Sequence, residues 1–466
     1  MGAMTDLSEG LAAVVGEKQL FVGDAIEERY LIDVQKKYPA HPGYLVRPRS
    51  TEEVAEIVKL ANASGTPITA LGGRTGSTGA GRGEDGGILM SLELMNKIIE
   101  IDPQSMTMTV EAGATLQSVH EAAEAAGLLM PLDLGSRGSA TIGGNIATNA
   151  GGVRVLRWGM MRDMVLGLEA VLADGSVVSS LGKFIKDNAG YNWKHLLIGS
   201  EGTLGIVTKA VLRLRPLPKS TQTALVAFPS FDDAVRLLRR LDTELGGQLS
   251  SFELMWNSFY ALMSESQRAK RPPPLSQDYP VYALIEAMGN DPERDAARFQ
   301  EVLASAMDAG VAADAAIAQS ERDRANLWSL RDDLLEAFLP LWPIFNFDLS
   351  MALTDMTGFV SETRAGIERQ WPGGHIWHFG HAGDGNLHVM VSVGAGDKDT
   401  ADRVYDIVYS AIGKVKGSVA AELGVGREKQ PFIGITRTPA ELDLMRTIKR
   451  ALDPGNILNP GVVFPL

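Results

Sequence analysis

The sequence predicts an α+β protein in two main parts, on three observations. Strand-like and helix-like stretches alternate from residue 219 to 415, which suggests helices layered on one face of a sheet. Three long glycine clusters lie in the first half, at Leu71–Gly81, Asp133–Gly152 and Gly190–Thr208. Pro216 and Pro218, followed by KSTQT, mark a boundary near residue 218, after which glycine thins.

The elements follow in order. A lead-in ends at YLVRPRS. Thr51 opens TEEV, a capping-box pattern, and EEVAEIVKLANASG is an amphipathic helix closed by Gly65. TPITAL is a short strand that runs directly into the loop GGRTGSTGAG. GGILMSLELMNKIIEID and MTMTVEAGAT alternate as strands do, and TLQSVHEAAEAAG is helical. GLEAVLADGSVVSS is a hairpin around Asp174-Gly175, and GTLGIVTKAVLRLRPLP is a strand pair. Beyond the boundary, TALVAFPS and VYALIEAMG are strands, while FDDAVRLLRRLDTELG and DPERDAARFQEVLASAMDAG are helices. KRPPPLSQDYP is a loop, and the tail is a helix stopped by Pro454-Gly455 before an extended end.

Composition narrows the function. A net charge of −13 argues against nucleic acid as a partner. The chain has no cysteine, which excludes disulfides, thiolate metal sites, iron–sulfur clusters and cysteine nucleophiles, and fits a reducing, cytoplasmic setting. No apolar run is long enough to span a bilayer. The N-terminus lacks a basic stretch ahead of a long apolar run, so no secretory signal is expected.

Glycine supplies 50 of the 466 residues, against a usual share of about 7%. Backbone N–H groups line an anion only where side chains leave room for it, so such loops favour phosphate. The clusters match neither the phosphate-binding G-x-x-x-x-G-K-[ST] pattern nor G-x-G-x-x-G between a strand and a helix. A ligand touched by three separate loops is long and crosses the domain.

Three of the seven histidines fall in HFGHAGDGNLHVMV. His381 and His388 are seven apart, which on one straight strand points them to opposite faces. Gly383 and Gly385 argue against helix, and AGDGN is turn chemistry, so the segment bends. A bend can aim both imidazoles at one cation. The other reading is that one caps the turn and the other packs. His378 is read as a packing residue or a pocket wall.

GGRTGSTGAG, GSATIGGNIATNAGG, IGSEGTLGIVT, GHAGDGNLH, AELGVG and DPGNILNPG occur in the order seen in the FAD-linked oxidases of the vanillyl-alcohol-oxidase (PCMH) type. The chain resembles most their D-2-hydroxyacid dehydrogenase branch, over residues 38 to 464. The resemblance implies a two-subdomain PCMH-type FAD-binding domain over 38–218, after a lead-in over 1–37. It also implies an α+β cap with an antiparallel sheet over 219–415 and a segment, 416–466, returning to the FAD domain.

By the same resemblance Gly72, Gly73, Arg74, Thr75, Gly76 and Ser77 bind the pyrophosphate. Pro131, Gly135, Ser139, Gly143, Gly144, Asn145, Thr148 and Gly152 lie along the flavin and ribityl chain. Ile206 makes a backbone contact, and Asn459 returns from the C-terminus. Relatives with covalent flavin use a histidine in the first loop; that loop has none here, so FAD is expected to be non-covalent.

His381, His388 and Glu422 match the family's ligands for a divalent metal, often zinc. Arg331 matches an arginine that pairs with the substrate carboxylate; without the resemblance it reads as a helix-surface residue paired with Asp332 or Glu336. Asn386 is a turn residue within reach of substrate. Two departures stand out. Leu423 replaces the histidine that serves as general base, and Asn346 stands where the hydroxyglutarate branch has a lysine.

The expected activity is therefore oxidation of a small D-2-hydroxyacid, D-lactate-like, by hydride transfer to flavin N5. Electrons then pass to an electron-transfer flavoprotein or a quinone, and the resemblance makes a homodimer plausible. A more apolar substrate on the same fold, and a flavin-binding protein without turnover, are the alternatives.

Overall fold

In the computed structural model, which describes residues 2–33, 37–267 and 271–466, the helix Thr51–Ser64 starts one residue earlier than its sequence pattern suggests. Ser50 is the cap, accepting the N–H of Glu53 at 3.3 Å. Glu53 reaches back to the N–H of Arg49 at 2.7 Å. Thr51 is inside the helix because its hydroxyl is taken by the buried carboxylate of Glu169, at 2.6 Å. Gly65 closes the helix at φ 65°, where a side chain would be strained.

The chain divides into two units. The first comprises Met1–Gly152, Gly159–Leu217 and Glu422–Leu466. It holds two main sheets. A four-stranded sheet runs Leu20–Val22, Tyr44–Val46, Ile88–Ser91, Ile68–Leu71, parallel except at its first pair. A five-stranded antiparallel sheet runs Ile98–Asp102, Thr107–Glu111, Ile206–Arg213, Val165–Val171, Val177–Ser180. The expected hairpin forms its last pair. The expected strand pair after Gly202 is instead one strand, Ile206–Arg213, followed by Arg215–Pro216, which pairs with Leu128–Leu129. Pro216 has no N–H to donate, so the strand ends there.

The C-terminal segment is sewn into the first unit. Leu458 bridges Ile68, and Asn459 donates its N–H to the Ile68 carbonyl at 2.8 Å. Buried Lys449 donates to the carbonyls of Thr203 and Leu458 and to Asp453.

The second unit comprises Val153–Trp158 and Pro218–Ala421. Its seven-stranded antiparallel sheet runs Asp314–Ile317, Ser220–Phe228, Val281–Gly289, Leu249–Trp256, His375–Gly380, Asn386–Ser392, Phe345–Ser350. Helices cover both faces, where the sequence suggested one. Phe379 stacks on Phe259 of the helix Asn257–Gln267, with centroids 4.0 Å apart. On the opposite face Trp256 stacks on Phe231 of the helix Phe231–Glu244, and His378 meets Thr363 of Leu353–Gln370. The strands Leu249–Trp256 and Val281–Gly289 are buried at every position, the signature of a sheet covered on both sides.

The expected loop KRPPPLSQDYP begins at Lys270, outside the described residues. Among the described residues no helix is long and apolar enough to cross a membrane.

Candidate active site

The strand Ile68–Leu71 delivers Gly72 and Gly73 into a cleft of the first unit of about 570 Å³. Gly72, Gly73, Arg74, Gly113, Ser139 and Thr141 are among its walls. A second cleft shares Gly72 and Thr141 and continues past Gly143, Gly144, Glu201 and Ile206. Side chains have no room along this path. A Cβ at Gly73 would lie 1.7 Å from the Ser139 carbonyl oxygen, one at Gly72 2.5 Å from Thr141 Oγ1, and one at Gly143 2.8 Å from Ala112 Cβ.

Arg74, at φ 55°, donates to the Gly81 carbonyl at 3.3 Å; its buried Nε and the buried Nδ2 of Asn145 have no partner among the described residues. A small-residue channel with the unsatisfied Nε of Arg74 on its wall fits a long, phosphate-bearing cofactor. Thr75, Gly76, Ser77, Pro131, Gly135, Asn145, Thr148 and Gly152 lie outside the walls of these two clefts. Thr148 Oγ1 is turned back to the Gly144 carbonyl at 3.1 Å. Asn459 uses its whole amide locally: Oδ1 accepts from Thr69 at 3.0 Å, and Nδ2 donates to Ala80 and Glu201 carbonyls at 3.1 and 2.7 Å. It ties two glycine loops together.

In the second unit the strand His375–Gly380 ends at a short turn, Ala382–Asp384, with Gly385 at φ 86°. The chain reverses there, so His381 and His388 come together with ring centroids 5.4 Å apart and an interplanar angle of 79°. Asn386 stabilises the reversal. Its Nδ2 donates to Asp348 Oδ1 at 2.9 Å and to the Leu349 carbonyl at 3.0 Å. Asp348 lies opposite His388 in the ladder, and its other oxygen accepts the N–H of Ala421 at 3.2 Å, the residue before Glu422.

Arg331 is buried on the helix Glu321–Asp332, so it is not a surface residue. Its Nε donates to Glu253 Oε2 at 3.0 Å, and one terminal nitrogen lies 3.5 Å from His381 Nε2. The guanidinium sits 4.9 Å from the Phe379 ring centre. Glu253 Oε1 takes His381 Nδ1 at 2.6 Å and the Ser251 hydroxyl at 3.1 Å. Burial by itself would raise the Glu253 carboxyl; His381, by charge and hydrogen bond, then Arg331 and Ser251, hold it below the usual carboxylate range. A carboxylate on Nδ1 fixes the tautomer and leaves the Nε2 lone pair for a cation or a donor.

His378 is a packing residue. It is fully buried, shares a 3.0 Å hydrogen bond with Thr363 Oγ1, and lies edge-on to Trp256. Burial, then the nearby Arg364, lower its pKa to about 3. The unfolded chain thus binds a proton below about pH 6.5 that the folded chain refuses until about pH 3. Stability falls as pH drops through that window, by at most about 1.4 kcal/mol per pH unit from this group. His378→Gln is expected to remove that part of the acid sensitivity, read from urea unfolding at pH 7 and pH 5. An unchanged slope would count against it.

Sequence reasoning missed Glu253, Asp348 and Glu201. The first two carried a signal, an acid alone in an apolar strand, LSSFELMW and FNFDLS. Glu201 is buried in the first unit and accepts the N–H groups of Val425 and Gly426 at 2.7 and 2.9 Å. Burial pushes its carboxyl upward, against those two N–H groups and Lys429.

Residues 217–463 match the family model described as FAD linked oxidases, C-terminal domain, and residues 42–180 match an FAD binding domain. D-2-hydroxyglutarate dehydrogenase of Xanthomonas citri pv. viticola is 37% identical over 443 residues, covering 94% of this chain and 92% of that protein. The mitochondrial D-2-hydroxyglutarate dehydrogenase of Bos taurus is 38% identical over 422 residues, covering 90% and 76%. Among solved structures, p-cresol methylhydroxylase with substrate bound shares the fold at a TM-score of 0.80 and 18% identity, covering 100% of this chain and 98% of that one.

The chain belongs to the FAD-linked oxidase family, with a PCMH-type fold. Within it the relatives mark the D-2-hydroxyacid dehydrogenase branch, and the protein is an FAD-dependent oxidoreductase acting on CH–OH groups.

Proposed function

We propose that the protein oxidises a small D-2-hydroxyacid of the D-lactate type, with a divalent cation, zinc for preference, on His381, His388 and Glu422. The observation that carries this reading is the buried set of Glu253, His381 and Arg331. Glu253 orients His381 as carboxylates orient metal-bound histidines. Two imidazoles and a carboxylate are a donor set suited to an open catalytic site. A cation there polarises the substrate hydroxyl and lowers its pKa. Arg331 supplies positive charge for the substrate carboxylate beside His381.

FAD, the hydride acceptor of the reaction, is held non-covalently by the Gly72–Ser77 loop and the stretch from Pro131 to Gly152, with Ile206. Asn459 supports the cofactor through the loops it joins. Electrons leave to an external flavoprotein or quinone, since the chain has no cysteine for an iron–sulfur relay. A cytoplasmic homodimer completes the reading.

The monocarboxylate preference rests on Asn346. It lies opposite Met390 and two residues from Asp348, on the sheet face that carries His388. At this point the two strands present an amide and a thioether, where a lysine would offer a charge to a second carboxylate. Anaerobic mixing with D-lactate, glycolate and D-2-hydroxyglutarate, alongside elemental analysis, tests the reading. We expect flavin bleaching with a higher kcat/KM for the monocarboxylates and one equivalent of metal per chain. Preference for D-2-hydroxyglutarate would overturn the substrate assignment. No bleaching by any of them would favour the more apolar substrate.

Leu423 offers no atom to accept the hydroxyl proton. Positioned acid–base groups contribute about 10²–10⁴-fold. Leu423→His is therefore expected to raise kcat on D-lactate at least about 10-fold. Unchanged turnover would mean that the proton leaves by another group.

A further inference from the structure

We propose that Glu201 is a positioning residue: it clamps the loop that carries Glu422 to the wall of the cofactor cleft, and so sets how tightly Glu422 holds a cation. The inference rests on the cation reading above.

Glu201 is fixed from every side within the first unit. Its backbone has φ 52°, between Gly199 and Gly202 at 84° and 73°. Its N–H donates to the Ala147 carbonyl at 2.8 Å, and its carbonyl accepts from Asn459 Nδ2 at 2.7 Å. The residue is itself a wall of the cleft beside Gly143, Gly144 and Ile206. Its carboxylate then takes two successive backbone N–H groups, Val425 and Gly426, at 2.7 and 2.9 Å.

The loop is shaped around this grip. Gly424 has φ 83°, and a Cβ there would lie 2.9 Å from Glu201 Oε1. Gly426 has φ 57°, and a Cβ there would lie 2.2 Å from the Thr78 carbonyl oxygen. Thr78, in the first glycine loop, accepts the N–H groups of Arg427 and Glu428 at 2.9 and 3.1 Å. Three glycine-rich motifs that are far apart in sequence are thus joined three to six residues after Glu422. A buried carboxylate is a demanding way to hold a turn. Two converging N–H groups, with both oxygens used, give it a defined direction that a hydroxyl or an amide does not reproduce.

Glu201→Gln tests this. Glutamine has one acceptor oxygen, and its NH₂ opposes the second N–H. We expect the purified variant to keep its FAD, read from the flavin-to-protein absorbance ratio. Its affinity for Zn²⁺, measured by competition with a chromophoric chelator, is expected to fall about 10-fold or more. At saturating Zn²⁺, kcat is expected to return to within about two-fold of wild type, as ligand positioning requires.

Wild-type Zn²⁺ affinity in Glu201→Gln, or loss of FAD with Zn²⁺ affinity intact, overturns the proposal. Gly424→Ala keeps the carboxylate but displaces the loop, and carries the test should the first variant not fold. It too is expected to weaken Zn²⁺ binding, and normal binding in it overturns the proposal. If the wild type binds no stoichiometric Zn²⁺, the cation reading itself has failed, and this inference with it.

Discussion

Replacing Glu253 with glutamine is expected to cut kcat/KM about 10- to 100-fold and to destabilise the protein by about 3–5 kcal/mol. The carboxylate accepts from three donors at once: Ser251 Oγ, His381 Nδ1 and Arg331 Nε. An amide has one acceptor oxygen and presents its NH₂ to the remaining donors. If the oxygen stays on His381, the NH₂ faces Arg331, which is buried and then lacks its counter-charge. If the oxygen turns to Arg331, His381 loses the partner that fixes its tautomer. Steady-state kinetics on the best hydroxyacid and urea unfolding measure the two effects. A variant with wild-type kcat/KM would remove Glu253 from the functional site, whatever its stability.

Gly73→Ala is expected to yield protein without flavin. The added methyl would sit 1.7 Å from the Ser139 carbonyl oxygen, which is backbone and has no rotamer to move to. One or both loops must shift, and these loops are walls of the same cleft. Overpacking of this kind costs about 1–3 kcal/mol. Spent on cofactor affinity, the upper figure corresponds to about 100-fold weaker FAD binding. The absorbance ratio of the purified variant and a titration with added FAD measure it. Gly358→Ala, on the helix Leu353–Gln370 and outside the glycine loops, is the control, because nothing lies within 4 Å of a Cβ there. Equal FAD binding in Gly73→Ala and wild type would mean that this loop does not contact the cofactor.

Local chemistry is what a single sequence carries legibly. The helix closed by Gly65, the turn at Asp174-Gly175 and the reversal at Gly385 each depend on a few neighbouring residues and on φ values that glycine alone adopts freely. For the same reason the glycine loops and the bend between His381 and His388 are legible in the sequence. The helices on both sheet faces were less legible. Continuous apolar runs such as VYALIEAMG mark a buried strand but do not say which helices cover it.

The site shows the same division. The sequence by itself determined the fold class, the family and the bend that brings His381 and His388 together. Tertiary structure decided which buried acid meets His381. Glu253 lies 128 residues from His381, and Glu201 lies 224 residues from Val425. Arg331 read as a surface arginine on its own helix, and only the placement of Glu253 on a central strand made it a buried counter-charge. The physical reason is that turn geometry is settled within a few residues. The partner of a buried charge depends on strand pairing across the chain, which periodicity does not encode.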